Sequence, residues 1–400
     1  MSMPTQSMMS PYMPKNSQRV GPVDALRGLA MTAVVAQHCG LLPFGWTGVW
    51  LFFVISGYVV TLTVISRESD QPALERLVGF FRRRALRIVP VYFAYICAGV
   101  VTILVSGSSL DLIALGSLLG FINNLAMTLG RGELGSWPVG HLWTISVEMQ
   151  FYVIYGFALF LMSRRTVVLL LLSMLILAPM LRLAVSNGLP RIGWDAETRA
   201  YAVYAGSFLH TDAFATGCLL AFLSKYGMLQ RKAPFVAIVG ICLLFIYVIL
   251  YTSINYYVVE ARGIDILKNV LSGILWGQYR EVFLYSALAA ASGGLVSLAA
   301  VEHRSVHWLL RLKSLQHIGE ISYGAYIYHA IAIVAAELAL SPIMDFSANP
   351  RPIHTWIALF LLAYLLTIVA AELSFRFFER RFLGIHNLRS PTRQISEMPT

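Results

Sequence analysis

The segment DALRGLAMTAVVAQHCG is apolar enough to be a membrane helix, yet it carries Asp24, Arg27 and His38. At about 100° and 1.5 Å per residue, Arg27 and His38 stand about 20° from eclipsed and about 16 Å apart along the axis. They therefore share a face at two depths, although a snorkelling arginine and an interfacial histidine would show the same spacing. Further on, FFRRRALRIVPVYF sets Arg84 and Arg87 one turn apart at the start of an apolar run ahead of Pro90. Planar guanidinium forks take phosphate oxygens two at a time, so such a pair suits a phosphorylated ligand arriving from the cytoplasm. Simple anchoring of a cytoplasmic loop also explains the cluster.

The stretch HLWTISVEMQFYVIY holds Glu148, with His141, Trp143 and Ser146 before it. A carboxylate about two turns into a membrane helix needs a partner, and a histidine or arginine on a neighbouring helix would serve. ISYGAYIYHAI contributes Ser322, Tyr323, Tyr326 and His329, for which a tyrosine belt and a satisfied histidine are the plain alternative. His210 and Asp212 look like interface residues at the start of a later helix, with Asp212 also able to pair inside the bundle. Nothing places His38, His210 and His329 at one depth, so haem ligation by paired histidines has no support. The four cysteines, Cys39, Cys97, Cys218 and Cys242, show neither a CxxC nor a ligand-like spacing to histidine. No metal site or disulfide framework is expected, and they read as small buried hydrophobes.

These groups need elements to position them, and the composition says which kind. The 400 residues are 58% hydrophobic and only 12% charged, about half the charged fraction of an ordinary soluble domain. The net charge of +10 lies in short gaps between apolar runs rather than on a folded module with interleaved aromatics, which argues against nucleic acid as a partner. Runs of about twenty residues, the length that spans a bilayer, recur near 24–41, 47–66, 85–106, 142–163, 166–186, 207–225, 233–253, 278–300, 320–341 and 355–377. The expectation is an all-α, polytopic membrane bundle of about ten helices, or eleven if the run 110–129 also crosses.

The positive-inside rule separates those two counts. With the N-terminus inside and 110–129 not crossing, 21 of the 30 Lys and Arg fall on the cytoplasmic side, among them Lys15, Arg19, Arg67, the Arg82–Arg87 cluster, Arg164 and Arg165. Eight others, Arg182 among them, fall outside or in the uncertain segment. Were 110–129 to cross, every later flank would change sides and the bias would vanish. The segment is therefore read as re-entrant or interfacial, with its backbone satisfied by protein or water. Residues 1–22 and 383–400 are expected to be cytoplasmic tails around a membrane domain at 23–382, and the first tail lacks the pattern of a secretory signal peptide.

Taken in order, DALRGLAMTAVVAQH, GVWLFFVISGYVVT, FFRRRALRIVPVYF, HLWTISVEMQFYVIY, HTDAFATGCLLAFL and ISYGAYIYHA resemble the acyltransferase-3 family of integral membrane acyltransferases. The resemblance implies transfer of an acyl group, most often acetyl, from cytoplasmic acyl-coenzyme A to a hydroxyl of a glycan, a lipid-linked sugar or another small acceptor, in the inner (plasma) membrane. Some relatives carry an appended esterase-like domain; the sequence ends about twenty residues after its last helix, so acceptor chemistry is expected within the membrane domain or through a partner protein. A second copy of the chain as partner stays open. In such proteins the Arg-x10-His pair, the Arg-x-x-Arg pair and the glutamate of the SVE motif are tied to activity, which points here to Arg27 with His38, Arg84 with Arg87, and Glu148. The family's frequent tryptophan before the late histidine is Tyr328 in this chain.

Acyl transfer to an alcohol needs a base for the hydroxyl proton and cations to hold the donor and the developing oxyanion. On this reading Arg84 and Arg87 hold the coenzyme A phosphates and Arg27 lines the donor path, held by Asp24. His38 acts as base or carries the acyl group transiently, and Glu148 orients it; Trp143, Tyr326 and His329 contact substrate. No metal is required. The alternative is a membrane transporter or flippase for a glycan or lipid precursor, which also needs charge inside the bilayer but usually shows repeats or matched broken helices that the sequence lacks. The distribution of basic residues predicts that reporter fusions after Arg165, Lys232 and Lys313 read cytoplasmic and fusions near Trp194 and Val258 read external. A cytoplasmic signal at Trp194 would mean that 110–129 crosses the membrane.

Overall fold

A computed structural model describes residues 21–66, 71–348 and 351–387. Lys15, Arg19, Arg67 and most of both expected tails lie outside these residues. Among the described residues the fold is helical without strands. In chain order the helices are α1 (Gly21–His38), α2 (Thr47–Ile65), α3 (Ala73–Val105), α4 (Leu112–Leu119), α5 (Asn123–Thr128), α6 (Trp143–Leu161), α7 (Arg164–Gly188), α8 (Ala196–Ala205) and α9 (Thr211–Lys225). They continue as α10 (Leu229–Tyr257), α11 (Ile264–Leu271), α12 (Arg280–Ala300), α13 (Arg304–Leu310), α14 (Lys313–Glu320), α15 (Ser322–Leu340), α16 (Ile353–Ser374) and, after a π turn at Phe375–Glu379, α17 (Arg380–Asn387).

Helices occupy all ten apolar runs, but they are not equivalent. Eight are long and apolar enough to cross a membrane, nine if α8 and α9 count as one span bent by 57°. α1 is not among them, because Asp24, Arg27 and His38 dilute its 18 residues. Its place in the bundle explains why this is tolerated. α1 packs against α2, α14, α15 and α12, and eleven of its residues are buried, so protein rather than lipid faces its polar groups. α2 and α12 are likewise central, 78% and 72% buried, whereas α7 and α10 are 22% buried and form the perimeter. Cys39 and Cys218 are buried as expected, while Cys97 and Cys242 sit on exposed faces of α3 and α10.

Close backbone approach assembles the centre. A Cβ at Gly217 of α9 would lie 1.9 Å from the Val54 carbonyl of α2, and one at Gly319 of α14 would lie 1.7 Å from the Asp24 carbonyl of α1. Only glycine permits these crossings, the usual device of membrane helices that gain little from hydrophobic burial against each other. The 33 residues of α3 reach about 50 Å at 1.5 Å per residue, well beyond a hydrocarbon core of about 30 Å. Its N-terminal third, with Arg82 to Arg87, therefore extends past the apolar layer.

The run 110–129 breaks into α4 and α5, eight and six residues long, and neither can span. The break comes at Phe121, which has a φ of 52°. Protein satisfies the polar groups around it. Gln150 donates to the Phe121 carbonyl (2.7 Å), Tyr92 to that of Leu118 (3.0 Å), Asn123 to that of Gly132 (2.9 Å) and Asn124 to that of Ala205 (2.9 Å).

Two sequence expectations change in the structure. Arg182, counted outside the membrane, is fully buried in α7, and His210 and Asp212, read as interface residues, are buried too. Arg182 donates through Nη2 to Asp212 Oδ2 (2.8 Å), through Nη1 to Asp212 Oδ1 (3.3 Å) and the Leu209 carbonyl, and through Nε to the Val282 carbonyl (3.1 Å). Ser286 Oγ donates to Asp212 Oδ2 (2.6 Å). The pairing is bidentate, so the desolvated charges are matched, and it ties α7, α9 and α12 together. Removing one partner of such a pair costs about 3–5 kcal/mol, because the other is left charged and buried. Arg182→Met or Asp212→Asn should each lower the melting temperature and folded yield of purified protein sharply, and the double change Arg182→Met with Asp212→Leu should recover part of the loss. A single variant that melts like wild type would show the pair to be dispensable.

Candidate active site

α3 brings Arg84 and Arg87 alongside α1 and α6, and the three helices enclose two adjoining cavities. Arg27, Arg84 and Arg87 line both. The outer cavity opens at the basic end of the bundle between Asp24, Arg83 and Glu320, with Phe382 and Leu383 of α17 at its mouth. The inner cavity reaches Ser56, Glu148, Tyr152, Tyr323 and Tyr326.

Local structure sets each group. Arg27 Nη1 donates to Asp24 Oδ1 at 2.8 Å, one turn back on α1, as the sequence reading expected. Arg84 lays its guanidinium 5.6 Å from the centre of the Tyr152 ring, and its Nε finds no partner. Glu148 and Tyr152 are one turn apart on α6, and both the Tyr152 hydroxyl and Ser56 Oγ of α2 donate to Glu148 Oε1. Ser56 and Tyr152 are themselves 2.6 Å apart. Two hydroxyl donors and nearby guanidinium groups thus surround the carboxylate. Among the described residues no hydrogen bond joins Glu148 to His38, so the orienting contact drawn from the sequence is not present. Ser56 and Tyr152 escaped the sequence reading; the only available signal was a serine in an otherwise apolar α2 and a tyrosine four residues after Glu148.

His38 belongs to a second group. Its ring centre is 5.1 Å from that of His329, which is 4.7 Å from that of His141. His141 and His329 are buried, while His38, at the end of α1, is exposed. The hydrogen bonds fix two tautomers. His329 Nδ1 lies 2.7 Å from the Tyr326 carbonyl and His141 Nε2 lies 3.1 Å from the Ile327 carbonyl. A carbonyl only accepts, so both nitrogens carry the proton. His329 Nε2 and His141 Nδ1 are left as lone-pair acceptors, buried and without partners.

Tyr326 stands between the two groups. It lines the inner cavity, its ring is 5.4 Å from His329 and 5.7 Å from His141, and its hydroxyl accepts from Thr144 (2.7 Å) and donates to the His141 carbonyl (2.9 Å). Trp143 turns away, packing 4.9 Å from Tyr204 and 6.3 Å from His210. Of the sequence-predicted residues, Arg27, Arg84, Arg87, Glu148 and Tyr326 therefore share a cavity, His38 and His329 sit behind Tyr326, and Trp143 joins neither group. No cluster of three or more His, Cys, Asp or Glu among the described residues is arranged to hold a metal ion.

The fold and cavity define a multi-pass membrane protein with a cationic pocket open at one end of the bundle. Residues 22–372 match the acyltransferase-3 family model, described as "Acyltransferase domain", and the chain belongs to that family. It is similar to the peptidoglycan O-acetyltransferase OatA of Listeria monocytogenes, 27% identical over 377 residues that make up 89% of this chain and 54% of the relative. A putative O-acetyltransferase of Staphylococcus aureus strain COL is 26% identical over 391 residues, 92% of this chain and 58% of the relative. The O-acetyltransferase OatA of S. aureus strain NCTC 8325 is 24% identical over 377 residues, 89% and 56%. The chain thus spans little more than half the length of the curated relatives it matches. No solved structure matches it.

Proposed function

We propose that this protein is a membrane O-acyltransferase that accepts an acyl group, acetyl first, from acyl-coenzyme A and passes it to a hydroxyl of a glycan, a lipid-linked sugar or another small acceptor. The observation that carries the reading is the triad of Arg27, Arg84 and Arg87 around one cavity that opens at the basic end of the bundle. Basic flanks favour the cytoplasm for that end and for both termini, where acyl-coenzyme A is made, and the inner membrane as the location. Relatives named as O-acetyltransferases support the choice of an oxygen acceptor.

In this mechanism the arginines bind the donor phosphates and the pantetheine arm runs inward past Glu148. The thioester reaches the histidine group once the Tyr326 ring yields. His38 takes the acceptor's proton as the hydroxyl oxygen attacks the thioester carbon, and coenzyme A leaves as the thiol after protonation. A second assignment has its own support: the free Nε2 of His329 is already the proton-accepting tautomer, so His329 can serve as the base with His38 beside it.

Variants separate the parts. In a strain lacking the gene, the acyl-ester content of surface glycans and secreted metabolites should be restored by wild type and not by Arg84→Gln with Arg87→Gln, which should also lose acetyl-coenzyme A binding after purification while keeping its folded yield. His38→Gln should bind acetyl-coenzyme A normally and lose about a hundredfold or more in transfer, the contribution expected of a general base. Transfer by His38→Gln within a few-fold of wild type, with a collapse in His329→Gln, would assign the base to His329. Unchanged donor binding in the double arginine variant would reduce the cluster to a topology anchor.

A further inference from the structure

The helix that ends the bundle does not run straight. Between α16 and α17 the backbone widens into a π turn over Phe375–Glu379. Such an insertion weakens the helix locally and rotates the residues beyond it by about 100° relative to an uninterrupted α-helix, so the side chains it redirects bear on why it is there. Glu379 is one of them. It is 8% exposed, and Ser374 Oγ donates to its Oε1 at 3.0 Å.

Its surroundings are made to receive it. On the α15 side stands Gly324, where a Cβ would come within 2.7 Å of Glu379 Oε1. The neighbouring Tyr323 lines the inner cavity, and its hydroxyl donates to the Ile88 carbonyl of α3 at 2.7 Å, directly after Arg87. On the other side the π turn and α17 pack against α3, the helix of the paired arginines. Arg87 is the cation whose charge acts on Glu379, and the next turn puts Phe382 and Leu383 at the cavity mouth. A buried carboxylate, a glycine that leaves room for it and a π turn that delivers it therefore converge behind one wall of the cavity, beside Arg87.

We propose that Glu379 is a positioning residue for the donor site: the π turn sets its carboxylate in the Gly324 recess, from which it holds the Arg87 guanidinium in the orientation that receives the donor's phosphate oxygens. The inference rests on the reading of this cavity as the acyl-coenzyme A site. Because Glu379 acts on donor capture and not on the acyl transfer step, its removal should change affinity and leave chemistry alone. A carboxylate that merely filled space would behave otherwise, since Glu379→Gln keeps shape and hydrogen-bonding capacity.

The test measures acetyl-coenzyme A binding by the purified full chain in lipid nanodiscs, with turnover at saturating donor. Glu379→Gln should weaken binding about tenfold, the size of one lost charge-assisted contact, with saturating turnover within twofold of wild type. In an Arg87→Gln background the same change should have no further effect. Should Glu379→Gln accumulate poorly, Gly324→Ala, whose methyl group displaces the carboxylate, is expected to weaken binding in the same way. Binding by Glu379→Gln that is unchanged or tighter, or an effect that persists in full without Arg87, overturns the proposal. Wild-type protein that fails to bind acetyl-coenzyme A would instead overturn the donor reading on which it stands.

Discussion

Charge inside a membrane bundle has to be answered by the bundle, because lipid offers no hydrogen-bond partner and little polarisation. That constraint accounts for most of what is unusual here. The helix with the highest density of ionisable groups, α1, is wrapped by four others. Arg182 meets a bidentate aspartate, a hydroxyl and two carbonyls. Glu148 meets two hydroxyls in a cavity lined by arginine. Backbone that leaves the helical pattern between α4 and α5 is capped by asparagine, glutamine and tyrosine side chains from its neighbours.

The two ways of answering charge have different consequences. Arg182 and Asp212 are saturated, so they hold helices together and have nothing left to offer a ligand. The arginines of the cavity keep one face toward open space, and Arg84 retains an unpartnered Nε. His329 and His141 keep buried lone pairs that no protein group fills. Incomplete satisfaction of this kind is unfavourable in a resting protein and is what a binding or reacting group would relieve. On the proposed mechanism the phosphorylated donor relieves the first group and the acceptor hydroxyl the second, with Tyr326 as the partition between them.

Spacing makes part of this legible in the sequence. The eclipsed placement of Arg27 and His38, the one-turn interval of Arg84 and Arg87, and Glu148 inside an apolar helix are properties of single helices, and periodicity along one helix is readable from a sequence. The same holds for the membrane class, for the ten apolar runs and for the Asp24–Arg27 pair, three residues apart. Depth and neighbours are harder to read. Arg182 lies between Pro179 and Arg191 in a segment that looks like a helix end, so its local sequence points outside the membrane; only the aspartate contributed by α9, thirty residues on, makes its burial possible. Trp143 precedes Glu148 in the same motif, yet its position on the helix sends it to a different aromatic cluster.

The sequence by itself determined the helices, the class of protein, the family and most of the charged groups that lie within the bundle, since composition and local period follow from covalent order. Tertiary structure alone decided that Glu148 sits with the arginines while His38 sits with His329, that Tyr326 divides them, that Arg182 is buried, and that Glu379 returns from the far end of the chain to the cavity. Those facts depend on which helix faces are pressed together. In a membrane such choices are made by close glycine contacts and by the matching of a few buried polar groups, distant in sequence and carrying no local signal of their partners.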